Sequence, residues 1–418
     1  MNFKRILSLL FVFVLLLSTA ACGNMSSERP VEQKQDPVTL TLWVYPMGKW
    51  ETQTAVDSLL KAYSQEFPDV TIETKLLHTE TADVDISTAI EAGDCPDLLF
   101  GSLSQLRHAQ RRGGIAVDLS ALCKGATYRA VKYACTDSDG LFYALPAVMD
   151  VTYMAINYEM FKDANALQYI DEMRHTWTTE DFLKAVKALK DADQTPDVLA
   201  LYCGGQSGDD GTRALVTNLY GGSFTDENHT RYTLDSEENI TALTTLQGLR
   251  GVIFDKDIVA EDENILFAQE QLAMSLSWHA DHEPVEKFTA FPMAYPANDG
   301  SAKLPGEVWG FSCFDNGDAG KIDAAISLLR YLNATDSVYS KLVSLCGHYP
   351  VRDLPTAESD ILASFMPMMD SYESYTPGFA VARTEWYELL KRLGDGADVA
   401  LEVDTFCTNA NTAARQMK

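Results

Sequence analysis

Basic residues are scarce in this chain: 33 Lys and Arg stand against 60 Asp and Glu, a formal net charge of -27. A surface this acidic repels phosphate backbones and anionic headgroups, which argues against nucleic acid and against electrostatic docking on anionic lipid. Long apolar runs are missing after residue 17, so no later segment has the length of a bilayer span. The eight cysteines include no CxxC pair. With Cys22 set aside they form an odd, scattered set, which is neither a disulfide framework nor a zinc module. Most are expected to be buried small hydrophobes; whether Cys123 and Cys135 pair stays open on spacing alone. No G-x-S-x-G, HExxH or P-loop occurs, so the common signatures of hydrolytic and nucleotide chemistry are lacking.

What is present begins at the N-terminus. Lys4 and Arg5 precede an unbroken apolar run, Ile6 to Leu17, followed by "STAACGN". That run has the length of a signal-peptide core rather than a transmembrane helix. A basic start, an apolar core and Ala-Ala before Cys22 fit a bacterial lipoprotein signal over 1–21, with lipid expected on the Cys22 thiol. Thr19 stands where Leu is usual, and an ordinary secretory signal cut near Ala21 is the alternative. Residues 22–37 are polar, contain two prolines and lack apolar periodicity, so they read as a flexible tether.

The rest of the chain is long enough for two lobes. "VTLTLWV" (38–44), "PDVTIETKLL" and "DCPDLLFG" read as strands separated by two helices, of which the first places Val56, Leu59, Leu60, Tyr63 and Phe67 on one face. This is a βαβαβ unit of an α/β fold, with right-handed crossovers expected. Ligands in such sheets sit beyond the carboxyl ends of the strands. Those ends carry Trp43, Tyr45 and Trp50, and the run "FGSLSQ" with Ser102 and Ser104. A second α/β region follows. "TWTTEDFLKAVKALKDA" reads as a helix with a cap at Thr178 or Thr179. "DVLALYCGGQSGDDG" reads as a strand entering a glycine loop after Tyr202, "ENITALTTLQGLRGVIF" as one helix, and "QLAMSLSWHADH" as a strand ending in a loop. One residue stands out. "YALPAVMDVTYMAINYEMF" (143–161) is apolar except for Asp150, and an ionised carboxylate in a buried strand is costly unless partnered.

The order of motifs resembles the family 1 extracellular solute-binding proteins, the maltose-binding-like receptors of bacterial ABC importers. The marks are "FPDVTIE", "AGDCPDLLF", "LFYALPAVMDVTYMAINYEMF", "TWTTEDFLKAVKAL", "QLAMSLSW", "FPMAYP" and "GHYPVRD", which together span most of 38–355. The resemblance implies a two-lobed periplasmic-binding-protein-like fold of type II, each lobe a sheet flanked by helices, with ligand in the cleft. One lobe would comprise 38–148 plus 312–354, the other 150–308 plus 355–418. The chain would cross at the Asp150 stretch and again near Val308 to Cys313, and the lobes would rotate about these crossings to close on ligand.

Carbohydrates offer flat C–H faces, matched by aromatic rings, and hydroxyls, matched by charged and amide groups. The candidate ligand contacts are Trp43, Tyr45, Trp50, Ser102, Ser104, Asp150, Tyr202, Trp278, Trp309, Arg383 and Trp386. Each aromatic has core packing as its alternative, and Asp150 could instead cap a helix or pair with Arg383. "WHADHE" offers His279, Asp281, His282 and Glu283, but its spacing fits no zinc motif, and "DSDG" and "DKDIVAEDE" lack the offsets of a calcium loop. No metal and no cofactor is expected. The expected role is capture of a carbohydrate, an oligosaccharide by preference, for membrane permeases, by a lipid-anchored monomer outside the cytoplasmic membrane. Competing classes are a secreted glycan-acting enzyme, which would need two carboxylates at fixed separation, a receptor for a polyol, glycerol phosphate or peptide, and a lipid-anchored adhesion protein.

Overall fold

The computed structural model describes residues 37–416 apart from 79–80, 104–105, 108–115, 124–134, 138–139, 194, 206–207, 280–281, 283, 353–363, 366–367 and 370–372. The expected signal and tether, Cys22 and Ser104 therefore lie outside the described residues.

Strand β1 (Val38–Val44) turns Leu40, Leu42 and Val44 into the core by simple alternation. Helix α1 (Gln53–Glu66) starts where the Thr52 side chain accepts the Ala55 N–H, and buries Val56, Leu59, Leu60 and Tyr63. Phe67, expected on that face, lies just past its end. Then follow β2 (Val70–Leu76), α2 (Ala82–Ala92), stopped by left-handed Gly93, and β3 (Leu98–Ser102), buried throughout. β1 pairs in parallel with both β2 and β3. The βαβαβ reading is thus observed.

Next come β4 (Leu145–Val151), β5 (Tyr153–Asn157), α3 (Tyr158–Asp163), α4 (Thr179–Ala192), β6 (Leu199–Tyr202), α5 (Asp210–Leu219), α6 (Glu237–Gly248), β7 (Val252–Asp255), α7 (Ala260–Ala268), β8 (Met274–Trp278) and β9 (Ala290–Met293). Then come β10 (Gly306–Cys313), α8 (Ala319–Ala334), α9 (Asp336–Cys346), β11 (Tyr349–Pro350), α10 (Phe379–Gly394) and α11 (Val399–Gln416). The Thr178 side chain caps α4. The single helix expected over "ENITALTTLQGLRGVIF" is corrected. α6 stops at Gly248, Gly251 sits at φ +91°, and Val252–Asp255 pairs in parallel with β6.

A six-stranded sheet has the order β11-β4-β10-β3-β1-β2, a three-stranded sheet the order β8-β5-β9, and β6 and β7 form a two-stranded ladder. The chain leaves the large sheet after β4 and enters the small one at β5. It returns between β9 and β10. Val308–Cys313, where the second passage was expected, lies within the large sheet, so the return falls earlier in the chain. The two passages touch: the Thr152 N–H donates to the Pro305 carbonyl at 3.0 Å. Seven cysteines, Cys123 and Cys135 among them, are buried thiols. No helix among the described residues is long and apolar enough to cross a membrane.

Candidate functional site

Asp150 sits one residue before the end of β4, beside the first passage. Its cross-strand neighbour on β10 is Glu307. The carboxylate is not buried among apolar groups: its side chain keeps 26% of its exposure. The Val151 N–H donates to Oδ1 at 2.8 Å, and His279 Nδ1, just past β8, lies 3.2 Å from Oδ2. Burial pushes the carboxyl up. The His279 ring, the nearby His348 and the Val151 N–H together outweigh it, and hold the carboxyl below the usual carboxylate range. These partners resolve the oddity of the sequence. They also correct one alternative, since the observed partner of Asp150 is His279 and not Arg383.

Asp150 lines a cavity of about 210 Å³. One side is built from the passages and the large sheet, with Thr152, Pro305, Glu307, Trp309 and His348. The other carries His279, Arg213, Phe379 and Arg383. The arginines are positioned by a buried carboxylate. Asp209, fully enclosed, forms an ion pair with Arg383, Nε 3.0 Å from Oδ1, and accepts from Arg213, four residues on and one turn along α5. Arg213 also pairs with the half-exposed Asp210. Both guanidinium groups lie over the Phe379 ring, at 5.2 and 5.1 Å from its centroid. The cavity is thus lined by two arginines paired with Asp209 and Asp210, by the carboxylates of Asp150 and Glu307, and by the Trp309 indole.

Of the expected contacts, Asp150, Trp309 and Arg383 meet in this cavity. The half-buried Tyr45 packs on Trp309, ring centroids 5.1 Å apart, and Ser102 lies opposite Trp309 in the ladder. Trp43 is half-buried on β1 beneath the Lys75 ammonium, 3.9 Å from its ring. Three expectations are corrected. Trp50, Tyr202 and Trp386 are fully enclosed, so none presents a face to a ligand. Each also spends its polar or edge contacts on the core. Trp50 meets Phe100 edge-on, the Tyr202 hydroxyl donates to the Gly208 carbonyl, and the Trp386 indole N–H donates to Thr212 Oγ1. Trp278 is 8% exposed, stacked on His282 at 4.4 Å and flanked by Phe267, so packing occupies its ring as well. Among the described residues no group of three or more His, Cys, Asp or Glu is placed to hold a metal ion.

The family model for bacterial extracellular solute-binding protein matches residues 49–338, more than half the chain. The chain belongs to the bacterial extracellular solute-binding proteins. Solved structures agree on the fold. The sugar-binding protein MalE from Xanthomonas citri matches with a TM-score of 0.72 and 13% identity, over 91% of this chain and 98% of that one. The cyclic alpha-maltosyl-1,6-maltose binding protein from Arthrobacter globiformis matches at 0.71 and 17%, over 91% and 100%. The GacH receptor of Streptomyces glaucescens, solved unliganded and with acarbose, matches at 0.67 and 15%, over 91% and 98%. No curated protein matches the chain in sequence. The protein therefore has the two-lobed α/β fold of these receptors, belongs to a family of binding proteins, and by that family works outside the cytoplasm.

Behind the cleft of this solute-binding protein runs a buried polar chain. Glu263 on α7 is fully enclosed; its Oε1 accepts the Leu276 N–H at 2.6 Å and its Oε2 lies 2.8 Å from Ser275 Oγ. Ser275 Oγ is also 2.7 Å from Asn264 Oδ1. Asn264 Nδ2 donates to the Ser277 carbonyl, which fixes the amide with its oxygen toward Ser275. A serine hydroxyl has one proton. Ser275 can therefore donate to Glu263 or to Asn264 but not to both, and a protonated Glu263 would donate to Ser275 and free it for Asn264. Burial agrees: it pushes the Glu263 carboxyl up to about 8 against the lowering by Leu276 N–H and Ser275. The His282 ring lies beside this amide, Nε2 3.0 Å from Asn264 Nδ2 and Nδ1 3.0 Å from the His279 N–H, so its tautomer can serve one of these contacts and not both.

The sign of the linkage follows. Folded Glu263 holds its proton over a range where the unfolded chain has lost it, so stability falls as pH rises from about 4.5 through about 8. Its slope is bounded by one proton, ~1.4 kcal/mol per pH unit. Glu263→Gln keeps an N–H for Ser275 and an oxygen for Leu276. Denaturant melts across that range should be flatter for the variant, with the variant the more stable above pH ~8. Parallel curves would show that Glu263 does not titrate there.

Sequence reasoning weighed His279 and His282 only as metal ligands, and missed Asp209, Arg213, Glu307, His348 and Phe379. One signal was available: Asp209 and Arg213 stand four apart, the spacing of a helical ion pair. It was overlooked because "GDDG" read as loop.

Proposed function

We propose that this protein is the substrate-binding lipoprotein of an ABC importer, capturing a carbohydrate, an oligosaccharide by preference, and delivering it to membrane permeases without catalysis. The observation that carries this is the meeting of Asp150, Arg383 and the Trp309 indole in one cavity beside the two chain passages. A carboxylate and a guanidinium match a ring of hydroxyls, and an indole matches a C–H face. The names of structural neighbours support the class, for they bind acarbose, a cyclic maltosyl-maltose and sugars generally. Trp43, Tyr45 and Ser102, near the end of β1 and β3, complete the proposed contact set. The lobes would hinge where Thr152 meets Pro305, with Gly306–Cys313 on the side of the large sheet, and ligand touching both lobes would shift the population toward closure.

The test is isothermal titration against a panel of malto-, cello- and chito-oligosaccharides from disaccharide to pentasaccharide, with α-D-tagatose, polyols, glycerol phosphates and peptides beside them. Binding of a glycan with a fall in radius of gyration by scattering is the expected result. Binding confined to a polyol, phosphate or peptide would replace the sugar, and turnover of a bound glycan would replace the receptor by an enzyme.

Anchoring through Cys22 rests on "STAACGN" after the apolar run. The variant Cys22→Ser should accumulate as precursor or appear in the medium, and should lose palmitate labelling. Fractionation and labelling unchanged from the parent would overturn the anchor.

A further inference from the structure

The cavity at Asp150 is small. Drug-sized ligands occupy ~300–1,000 Å³, and this one offers about 210 Å³. It does not stand alone, however. Asp210 and Pro305 also form the wall of a second cavity, of about 450 Å³. The two cavities therefore share a wall, and the second is the larger.

The second compartment is a trough along the outer face of α5. Asp210, Ala214 and Thr217 line it at intervals of four and three residues, which is one helical face. The facing wall is the turn from Gly221 to His229, and the floor is the segment of Lys303 and Pro305. Its walls are fixed by contacts of their own. Asn218 holds the floor in both directions, donating to the Lys303 carbonyl at 2.8 Å and accepting its N–H at 2.7 Å. Asp226 accepts from the Thr230 and Arg231 N–H groups and closes the turn. The Asn239 amide donates to the Ser223 carbonyl at 2.9 Å. A Cβ on Gly222 would meet Asn239 Oδ1 at 2.1 Å, so the wall can stand this close only as glycine. A ligand entering this trough does not have to order it.

The lining decides the ligand class. Thr217, Ser223 and Thr225 bring hydroxyls. Asp210 is engaged by Arg213 and Asp226 by its own turn. Asp226 also lies 4.0 Å from Arg231, and Glu227 and Lys303 bring opposite signs, so no single charge dominates the lining. Phe224 is 1% exposed and offers no ring face. A neutral, hydroxyl-bearing group held by hydrogen bonds fits; a flat apolar group does not. We propose that this trough is a second subsite, holding further units of a neutral oligosaccharide whose first unit lies at Asp150. The proposal rests on the sugar reading above and adds to it that the ligand is longer than one unit and runs along α5.

Two blocking variants test it from opposite walls. Thr217→Trp projects an indole from α5; the hydroxyl lost bonds only carbonyls of its own helix. Ser223→Trp does the same from the exposed turn. Both are titrated against the same oligosaccharide series, with melting curves to establish folding. For the parent, affinity should rise with chain length beyond the disaccharide. In each variant every member of the series should lose about tenfold in Kd or more, while the constituent monosaccharide, titrated beside the series, binds as it does to the parent. Equal affinity at every length in the parent, or blocking variants that bind every length as the parent does, would overturn the subsite. Failure of the parent to bind any sugar in the panel would instead overturn the sugar reading itself.

Discussion

Asp209→Asn should lower the stability of the folded protein by ~3 kcal/mol or more in denaturant melts. Asp209 is fully enclosed and is engaged by both Arg213, whose side chain is 4% exposed, and Arg383. The value of such a cluster lies in its completeness. Taking charges out of water is expensive, and only good partners offset the cost. Removing the carboxylate leaves two guanidinium groups against the Phe379 ring, with one neutral amide between them. Arg213 keeps Asp210, which holds the loss near the lower end of the range for broken buried pairs. Because Arg383 and Phe379 line the cavity, ligand affinity should fall in the same variant. The comparison variant is Asp210→Asn. Its carboxylate is 44% exposed, and exposed pairs contribute ~0–1 kcal/mol. Equal stability losses in the two variants would show that burial does not decide the energetics here, and that the wall of arginines is not held by Asp209.

The contrast between these two aspartates shows where a sequence can be read. The first half of the large sheet was legible, since alternation in Val38–Val44 and a 3.6-residue period in the next segment leave little choice of element. The strand Val252–Asp255 was not, because a β-branched run after a helix continues the apolar pattern. What separates them is Gly251 at φ +91°, a backbone property that composition does not show. In the site, Asp150 was legible as a lone carboxylate in an apolar run. The aromatics were much less so. A tryptophan buries large area whether it serves core or cleft, and Trp50 and Trp386 went to the core while Trp309 went to the cavity. The roles of His279 and Arg383 were hidden for a different reason. They depend on partners far apart in sequence, Asp150 for one and Asp209 for the other, which only the fold brings together.

Asp150→Asn should weaken binding of the cognate glycan at least tenfold, ~1.4 kcal/mol, while the ligand-free protein melts nearly as before. The carboxylate keeps 26% of its exposure, so in the free protein it remains partly solvated. In the closure proposed above that water would leave, and the oxygens would need donors. Sugar hydroxyls would supply them, each hydrogen bond to a charged group being worth about 1.5–3 kcal/mol. Asparagine retains one oxygen for the Val151 N–H, which explains why little stability should be lost. It cannot accept two hydroxyls, because one of its two positions is now a donor. The acid limb supplies an independent check. The folded Asp150 carboxyl is held below its ordinary 3.8, so it contributes stability at pH above that value and loses it as pH falls through the folded pKa. Whatever small deficit the variant shows at neutral pH should therefore vanish as the pH drops below ~3.8. Should Asp150→Asn unfold more readily at neutral pH yet bind as tightly as the parent, the carboxylate belongs to the scaffold. It would then serve to hold His279, and the hydroxyl acceptor would have to be sought on the opposite strand, at Glu307.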